Sequence, residues 1–283
     1  MMAGGEPPSW PAETVSQTPV KSNPVSSFRV KQGDLFYLSI RVGPHAASVQ
    51  GELHHRTIPF FKAEAPEQFG ALIGVDMADP PSREDLRVDV SKDDGSVEQR
   101  HYTVEVLPVH FATQELRVPK NYVDLDEESA RRAEDEQEKI LRLLGKVTAQ
   151  KYWGGRFIMP VQGEIAGTFG LRRIINGEPR SPHSGEDIHA PKGTEVHAPN
   201  EGVVALVGDF FFSGKSIVLD HGLGLYTMYF HLDEVDVKEG DRIRKGAVLG
   251  KVGATGRATG PHLHWGMRID GARVNPLSVL NIE

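Results

Sequence analysis

His262-Leu263-His264-Trp265-Gly266-Met267-Arg268-Ile269 is the stretch on which the reading of this chain turns. It is a strand-like run, and on a strand residues i and i+2 point to one face about 7 Å apart. His262 and His264 then share a face, and Leu263 points the other way, into packing. Alone, the pair reads first as two surface histidines.

Outward from this run the same texture continues. Strand-like runs lie at Gly202–Val207, Lys215–Leu219, Leu225–Phe230 and Ala247–Val252, and Pro160, Gly163, Gly167, Gly170 and Gly177 punctuate the segment before them. No helix of three turns is visible, so residues 151–283 read as an antiparallel all-β domain. An internal echo lies within it. Lys192-Gly193-Thr194-Glu195-Val196 resembles Glu239-Gly240-Asp241-Arg242-Ile243, and each precedes an apolar run. A duplicated β unit would explain the echo, as would two similar tight turns.

Upstream, the text becomes helical. Eight acidic and three basic residues fall between Asp124 and Lys139. Ala130, Ala133, Gln137, Ile140, Leu144 and Val147 recur at three- and four-residue steps. Acidic residues crowd the start and Arg142 and Lys146 lie near the end, the order that the helix dipole favours. This predicts a connecting helix over Asp126–Val147 within a linker, 118–150, its acidic run a solvated face.

Residues 25–117 show short alternating runs at Gly33–Val42, Thr57–Phe61, Ala71–Val75, Leu86–Val90 and His101–Val109, separated by turn residues such as Lys92-Asp93-Asp94-Gly95. In the first, Phe36, Leu38, Ile40 and Val42 share a face. The spacing predicts a small β-sandwich-like accessory domain. His54 and His55, as strand neighbours, would point to opposite faces and make a poor ligand pair. Residues 1–24, rich in Pro, Ser and Gly, read as a flexible tail. The fold class is therefore mainly β.

Composition narrows the function. The chain has 283 residues, 39% hydrophobic and 25% charged, with a formal net charge of −7. That argues against a general nucleic-acid binder, which needs a basic surface. There is no cysteine, so thiolate metal sites, disulfides and cysteine nucleophiles are excluded. No run of 18 apolar residues exists, so no transmembrane segment is expected. Met1-Met2-Ala3-Gly4-Gly5 lacks the pattern of an export signal. The expectation is a cytoplasmic protein or an exported one read without its signal.

Twelve histidines supply metal chemistry instead, seven of them after residue 151. His183-Ser184-Gly185-Glu186-Asp187 reads as a turn running into a strand, in which Gly185 lets the backbone bend so that both ends reach one ion. His231 ends the apolar run Tyr229-Phe230-His231-Leu232. A hydrolytic zinc site keeps three protein ligands and one position for water. His183, Asp187 and one member of the His262/His264 pair would make such a set, leaving the other member and His231 beside the open position. His189 and His197 read as structural, and His221 as a turn residue that could pack near the site. Phe210-Phe211-Phe212 reads equally as cleft lining or core, and Trp153 as packing over the domain or stapling the linker helix.

The ordered set of fragments resembles the lysostaphin-type family of zinc metallo-endopeptidases that cut peptidoglycan cross-link peptides. The fragments are Phe169-Gly170-Leu171-Arg172, Asn176-Gly177, His183-x-Gly185-x-Asp187, Ala190-Pro191-x-Gly193-Thr194, Asp220-His221-Gly222-x-Gly224, Tyr229-x-His231-Leu232, Gly240-Asp241 and Thr255-Gly256-Arg257-x-Thr259-Gly260-Pro261-His262-Leu263-His264. They span most of residues 152–277. The resemblance implies Zn2+ held by His183, Asp187 and His264, with His262 and His231 as the catalytic pair. His262 is then the expected general base and His231 the partner of the oxyanion, roles that could be exchanged. It implies a peptidoglycan peptide substrate, either a D-alanine–diaminopimelate cross-link or a glycine-rich bridge. The anionic chain and the β-domain favour the first. It also implies a periplasmic or extracellular location. The first region would then anchor the protein to the wall, bind an envelope protein regulator, or cover the groove. A non-catalytic wall-binding relative that activates another hydrolase is the alternative, disfavoured because no ligand position departs from the pattern. A swinging-arm carrier, suggested by Val237-Lys238-Glu239-Gly240-Asp241, lacks the exposed lysine that it would need.

Overall fold

A computed structural model describes residues 27–117 and 125–282. The expected tail at 1–24 lies outside these residues, as does part of the 118–150 linker. In the first region the strands are β1 (Ser27–Lys31), β2 (Leu35–Arg41), β3 (Ala46–Leu53), β4 (Arg56–Pro59), β5 (Phe61–Lys62), β6 (Gln68–Gly74), β7 (Ser82–Lys92), β8 (Val97–Leu107) and β9 (Thr113–Leu116). A five-stranded sheet, β1-β8-β7-β3-β4, faces a three-stranded one, β2-β6-β5. Leu38, Ile40, Val42, Ala71, Ile73, Val88 and Val104 fill the space between them. This is the expected sandwich, and Leu38, Ile40 and Val42 turn inward as their alternation predicts. His54 and His55 depart from expectation. They form the two-residue β3–β4 turn with φ of 51° and 61°, the left-handed backbone that such hairpins require. His54 is held by Asp79 and Glu84.

The small sheet is apolar on both faces. Leu35 of β2 and Leu72 of β6 point away from the sandwich into a second core with Trp153, Ile269 and Val274. Gly74 lies so close to the second region that a Cβ there would come within 2.3 Å of Ile269 Cγ2. Polar contacts tie the same seam. Asp76 accepts from the Arg273 guanidinium at 2.6 and 3.0 Å and from its backbone N–H at 2.7 Å. The packing therefore does not stop at the 150/151 boundary read from the sequence.

Helix α1 (Glu127–Leu144) is capped by Asp126, whose carboxylate accepts from Ser129 N at 2.8 Å. It stops at Gly145 rather than at Val147, and the Lys146 carbonyl is taken by the Tyr226 hydroxyl. Leu144, Ile140 and Leu143 pack on Leu206, Phe210, Val218, Tyr226 and Met228. The helix thus lies on one face of the second region's main sheet. Among the described residues no helix is long and apolar enough to cross a membrane.

The second region contains β10 (Glu164–Ile165), β11 (Arg172–Ile175), β12 (Glu178–Arg180), β13 (Gly185–His189), β14 (Glu195–His197), β15 (Gly202–Phe210), β16 (Gly214–Gly222), β17 (Leu225–Val235), β18 (Arg242–Ile243), β19 (Val248–Val252), β20 (Leu263–Ile269) and β21 (Ala272–Arg273). The main sheet runs β10-β13-β20-β17-β16-β15-β18, with β14, β19 and β21 attached beside it. Its strand pairs are antiparallel. A separate small sheet, β12-β11-β9, includes β9 of the first region, paired in parallel with β11.

The sequence echo is structural. Gly193 N donates to Val252 O and Val252 N to Thr194 O. Gly240 N donates to Val204 O and Val204 N to Asp241 O. Each turn clasps the strand that follows the other turn, and Gly193 and Gly240 share φ values of 87° and 89°. Two equivalent units have exchanged strands.

Asp270, in the β20–β21 turn, is an outlier. Both carboxylate oxygens are buried and without a hydrogen-bond partner among the described residues. Burial pushes its pKa up to about 8 from 3.8, against the opposing pull of Arg56. A carboxyl whose folded pKa exceeds its unfolded one takes up a proton on folding in the window between them. Its contribution to stability is therefore full below about pH 4 and is lost as pH rises to about 8. Thermal unfolding of Asp270→Asn and the parent between pH 5 and pH 9 is expected to show the variant gaining relative to the parent as pH rises. A difference that stays constant with pH would refute this.

Candidate metal centre

The site grows from the pairing of two neighbouring strands. β13 and β20 are antiparallel, and their register puts Asp187 directly opposite His264 and Gly185 opposite Gly266. β17 lies on the other side of β20, with Phe230 opposite His264. The Phe230 ring stacks on the His264 imidazole, 5.2 Å between centroids and 3° between planes. Since alternate residues share a face, Tyr226, Met228 and Phe230 line one side of β17. Helix α1 covers the first two, and Phe230 carries that surface to the site.

Gly185 acts differently from the reading of its motif. Its φ is not in the left-handed region, so it does not serve as a bend. A Cβ on Gly185 would lie 2.5 Å from His264 Nε2 and 2.7 Å from Trp265 O. Glycine is required because the His264 ring crosses the strand at that point.

Asp187 is the hub. Its Oδ1 lies 3.0 Å from His264 Nδ1, 3.3 Å from His183 Nε2 and 3.8 Å from His262 Nε2. One ligand atom from each of His183, Asp187 and His264 can be chosen so that all three lie within 4.8 Å of one another. Two imidazole nitrogens and one carboxylate oxygen form a borderline donor set suited to zinc, whose bonds of about 2.0–2.2 Å put tetrahedral neighbours roughly 3.5 Å apart. The residues present fit such an ion.

Backbone carbonyls orient the rings. His183 Nδ1 faces Thr168 O at 3.2 Å, His231 Nδ1 faces Thr255 O at 2.9 Å, and His262 Nδ1 faces Gly260 O at 2.9 Å. A carbonyl only accepts, so each Nδ1 carries the proton and each Nε2 is left as a lone pair when the ring is neutral. Burial lowers the His264 pKa to about 4 and also lowers that of His231, which keeps both rings neutral at pH 7. Burial would raise the Asp187 pKa, but the His183 and His264 imidazoles packed against its carboxylate outweigh it and hold the carboxyl below its usual range.

His231 sits on β17 with φ of 65°, a conformation that costs a non-glycine residue energy and needs support from its surroundings. The support is visible. His231 N donates to Ser213 O at 2.8 Å, and the Thr255 hydroxyl donates to Leu232 O at 2.7 Å. The result sets the His231 ring 4.8 Å from His262 and 6.2 Å from His264. All five residues singled out by the sequence, His183, Asp187, His231, His262 and His264, thus meet in one place.

The remaining histidines divide. His221 is fully buried among Glu201 O, Thr227 and Phe157, and burial lowers its pKa to about 4. It is a core group on β16, where the sequence suggested a turn residue packing near the site. His197 lies at the β14 edge against Gly246 O. His189 departs from its structural reading, because it is exposed and its ring lies 6.2 Å from His262. Phe210 is buried under α1, whereas Phe212 is 41% exposed with Arg257 over its ring, so the triplet is part core and part surface. Trp153 packs edge-on against Phe61 of the first region and belongs to the core with Leu35 and Leu72, not to the cluster beneath the linker helix. Thr168, Glu186 and Thr255 were not legible as site residues. Their roles depend on carbonyls and amides of loops distant in sequence, for which no residue pattern exists.

Residues 181–276 match the model of peptidase family M23, and this stretch is a lysostaphin-type M23 peptidase domain. A DD-carboxypeptidase/endopeptidase, Mpg, of Neisseria meningitidis serogroup B is 42% identical over 136 residues, 48% of this chain and 31% of that protein. The peptidoglycan DD-endopeptidase ShyA of Vibrio cholerae is 35% identical over 123 residues, 43% of this chain and 29% of that protein. The chain thus spans less than a third of the length of these curated relatives. A crystal structure provisionally assigned to peptidase M23 from Pseudomonas aeruginosa covers 87% of this chain and 94% of its own, with a TM-score of 0.68 at 28% identity. That likeness extends well beyond the peptidase domain into the first region.

Proposed function

We propose that the M23 domain makes this protein a zinc-dependent endopeptidase that hydrolyses peptide cross-links of bacterial peptidoglycan, in the periplasm or outside the cell. One observation carries the reading. The ligand set His183, Asp187 and His264 stands beside two further imidazoles, His231 and His262, whose Nδ1 atoms are tied to carbonyls so that Nε2 is left unprotonated, with His262 Nε2 3.8 Å from Asp187 Oδ1 and the His231 ring 4.8 Å from that of His262. A merely structural zinc site would be closed by protein ligands and would have no use for such a pair.

Zinc, when held by His183, Asp187 and His264, lowers the pKa of a water to about 7 and polarises the scissile carbonyl. The chain's own residues supply the rest. His262, with Nε2 3.8 Å from Asp187 Oδ1, stands nearest the ligands and takes the proton at that nitrogen. The ring that gains a proton at Nε2 becomes a donor, able to stabilise an oxyanion or protonate the leaving amine. Because His231 and His262 are tied alike through Nδ1, the two roles are exchangeable within one geometry. His231, kept neutral by burial, becomes a donor only after gaining that proton. The left-handed backbone at His231 and the stacked Phe230–His264 pair hold the imidazoles in place.

The names of the relatives, DD-endopeptidases acting on peptidoglycan, favour the D-alanine–diaminopimelate cross-link over a glycine-rich bridge. The alternative of a non-catalytic activator is disfavoured by the complete set of five side chains. An envelope regulator acting on the first region would reach the site through β9, whose partner β11 adjoins the 168–171 loop that holds His183. A fragment starting near Gln150 would bare Trp153, Ile269 and Val274, which now pack with Leu35 and Leu72. Control by the first region is therefore best read in the intact chain.

The test is digestion of purified peptidoglycan by the full chain, with metal measured on the same sample by elemental analysis. The expected result is near one zinc per chain, release of cross-link peptides, loss of activity on chelation and recovery on adding zinc. Zinc-loaded protein that leaves cross-linked peptidoglycan intact would support the activator reading instead.

A further inference from the structure

We infer that Glu186 is a positioning residue, which holds the Thr168 loop so that Thr168 presets both His183 and Asp187 for zinc. The inference rests on the metal reading above. Strand alternation puts Glu186 between Gly185 and Asp187 and points it away from the ligands, to the back of the site. Its side chain is not idle there, since Glu186 is 1% exposed. Its two oxygens divide the work. Oε1 accepts from Thr168 N at 2.8 Å and Oε2 from Phe169 N at 3.3 Å. The Thr168 hydroxyl lies 3.5 Å from Oε1.

Thr168 in turn touches two of the three ligand residues by separate atoms. Its carbonyl takes the His183 Nδ1 proton at 3.2 Å, and its hydroxyl accepts from Asp187 N at 3.0 Å. One short path therefore links a buried carboxylate to the ring of one ligand and to the backbone of another. Ionised carboxylate is acceptor-only on both oxygens, so it alone satisfies two adjacent backbone N–H groups without offering a donor to either. Such a group is costly to bury unless it is fully hydrogen-bonded. A loop needing only closure would be held as well by a neutral acceptor. Outer partners of this kind fix the tautomer and direction of a ligand imidazole, and their loss costs about 10–100-fold in metal affinity.

The test measures zinc affinity of the full chain by competition with a chromogenic chelator, alongside the unfolding midpoint of the metal-free protein. Glu186→Gln keeps one acceptor and turns an amide N–H against the other backbone donor. Thr168→Val keeps the carbonyl and removes the hydroxyl, and Thr168→Ser keeps both. Glu186→Gln and Thr168→Val are expected to bind zinc about 10–100-fold more weakly, while Thr168→Ser stays near the parent. If both variants lower the metal-free midpoint but hold zinc as tightly as the parent, the network is only a fold element and the inference is overturned. Should Glu186→Gln fail to fold, Thr168→Val decides by the same criterion. A parent protein that binds no zinc would overturn the metal reading itself and this inference with it. A zinc-binding parent with unchanged variants overturns this inference alone.

Discussion

His264→Ala in the full chain is expected to purify without zinc. Three donors meet at this site, and removing one leaves His183 and Asp187, too few for a tight site. The loss should exceed the 10–100-fold that an outer partner commands, because a bond to the ion itself disappears. His264 does more than bind. Its Nδ1 proton or lone pair faces Asp187 Oδ1 at 3.0 Å, and its ring stacks on Phe230. The variant is therefore expected to be destabilised as well, by about 2–5 kcal/mol if it resembles other buried large-to-small changes. The fold should survive, because Leu263 and Trp265, its neighbours on β20, point to the opposite face and remain in the core. Elemental analysis with a far-UV circular dichroism spectrum on the same sample separates the two effects. Near-stoichiometric zinc in a folded His264→Ala protein would sink the ligand assignment.

His231→Ala and His262→Ala should behave in the opposite way, keeping zinc and losing the reaction. Neither ring is one of the three donors clustered for the metal, yet both lie beside that cluster and each is tied through Nδ1 to a carbonyl. Loss of a single group that stabilises the developing charge costs about 10²–10³ in rate, and each variant should lose at least that much in turnover of purified peptidoglycan. Because the two rings lie 4.8 Å apart and are expected to pass a proton within one cycle, the double variant should lose less than the product of the single losses. Fully multiplicative losses would argue against a shared proton. A metal-free His231→Ala or His262→Ala protein would mean that the division between ligands and acid–base groups is drawn in the wrong place.

Much of this site was legible because its chemistry needs rare side chains in fixed local spacing. The i, i+2 geometry of His262 and His264 follows from strand pleating alone, and the absence of cysteine left histidine and carboxylate as the only transition-metal ligands. The strand at 33–42 could be read from the inward set Leu38, Ile40 and Val42. Its other face could not, since Leu35 and Tyr37 look like ordinary members of an alternating strand until Trp153 and Ile269 arrive across the seam. The helix was legible from its stripe and charge order. The face of the sheet that it covers was not, because Leu206, Tyr226 and Met228 come from three different strands.

The sequence by itself determined which residues could do the chemistry and where most of the longer strands of the second region run, and it showed an echo of turn and apolar run, since these rest on residue type and short-range periodicity. Only the tertiary structure decided that Gly185 is glycine to make room for the His264 ring, that the two repeats exchange strands, and that β9 of the first region joins the sheet beside the His183 loop. It also decided that Glu186 serves the site from behind. Each of these depends on atoms brought together from residues far apart in the chain, and a backbone amide or carbonyl that makes such a contact leaves no mark in the identity of its own residue.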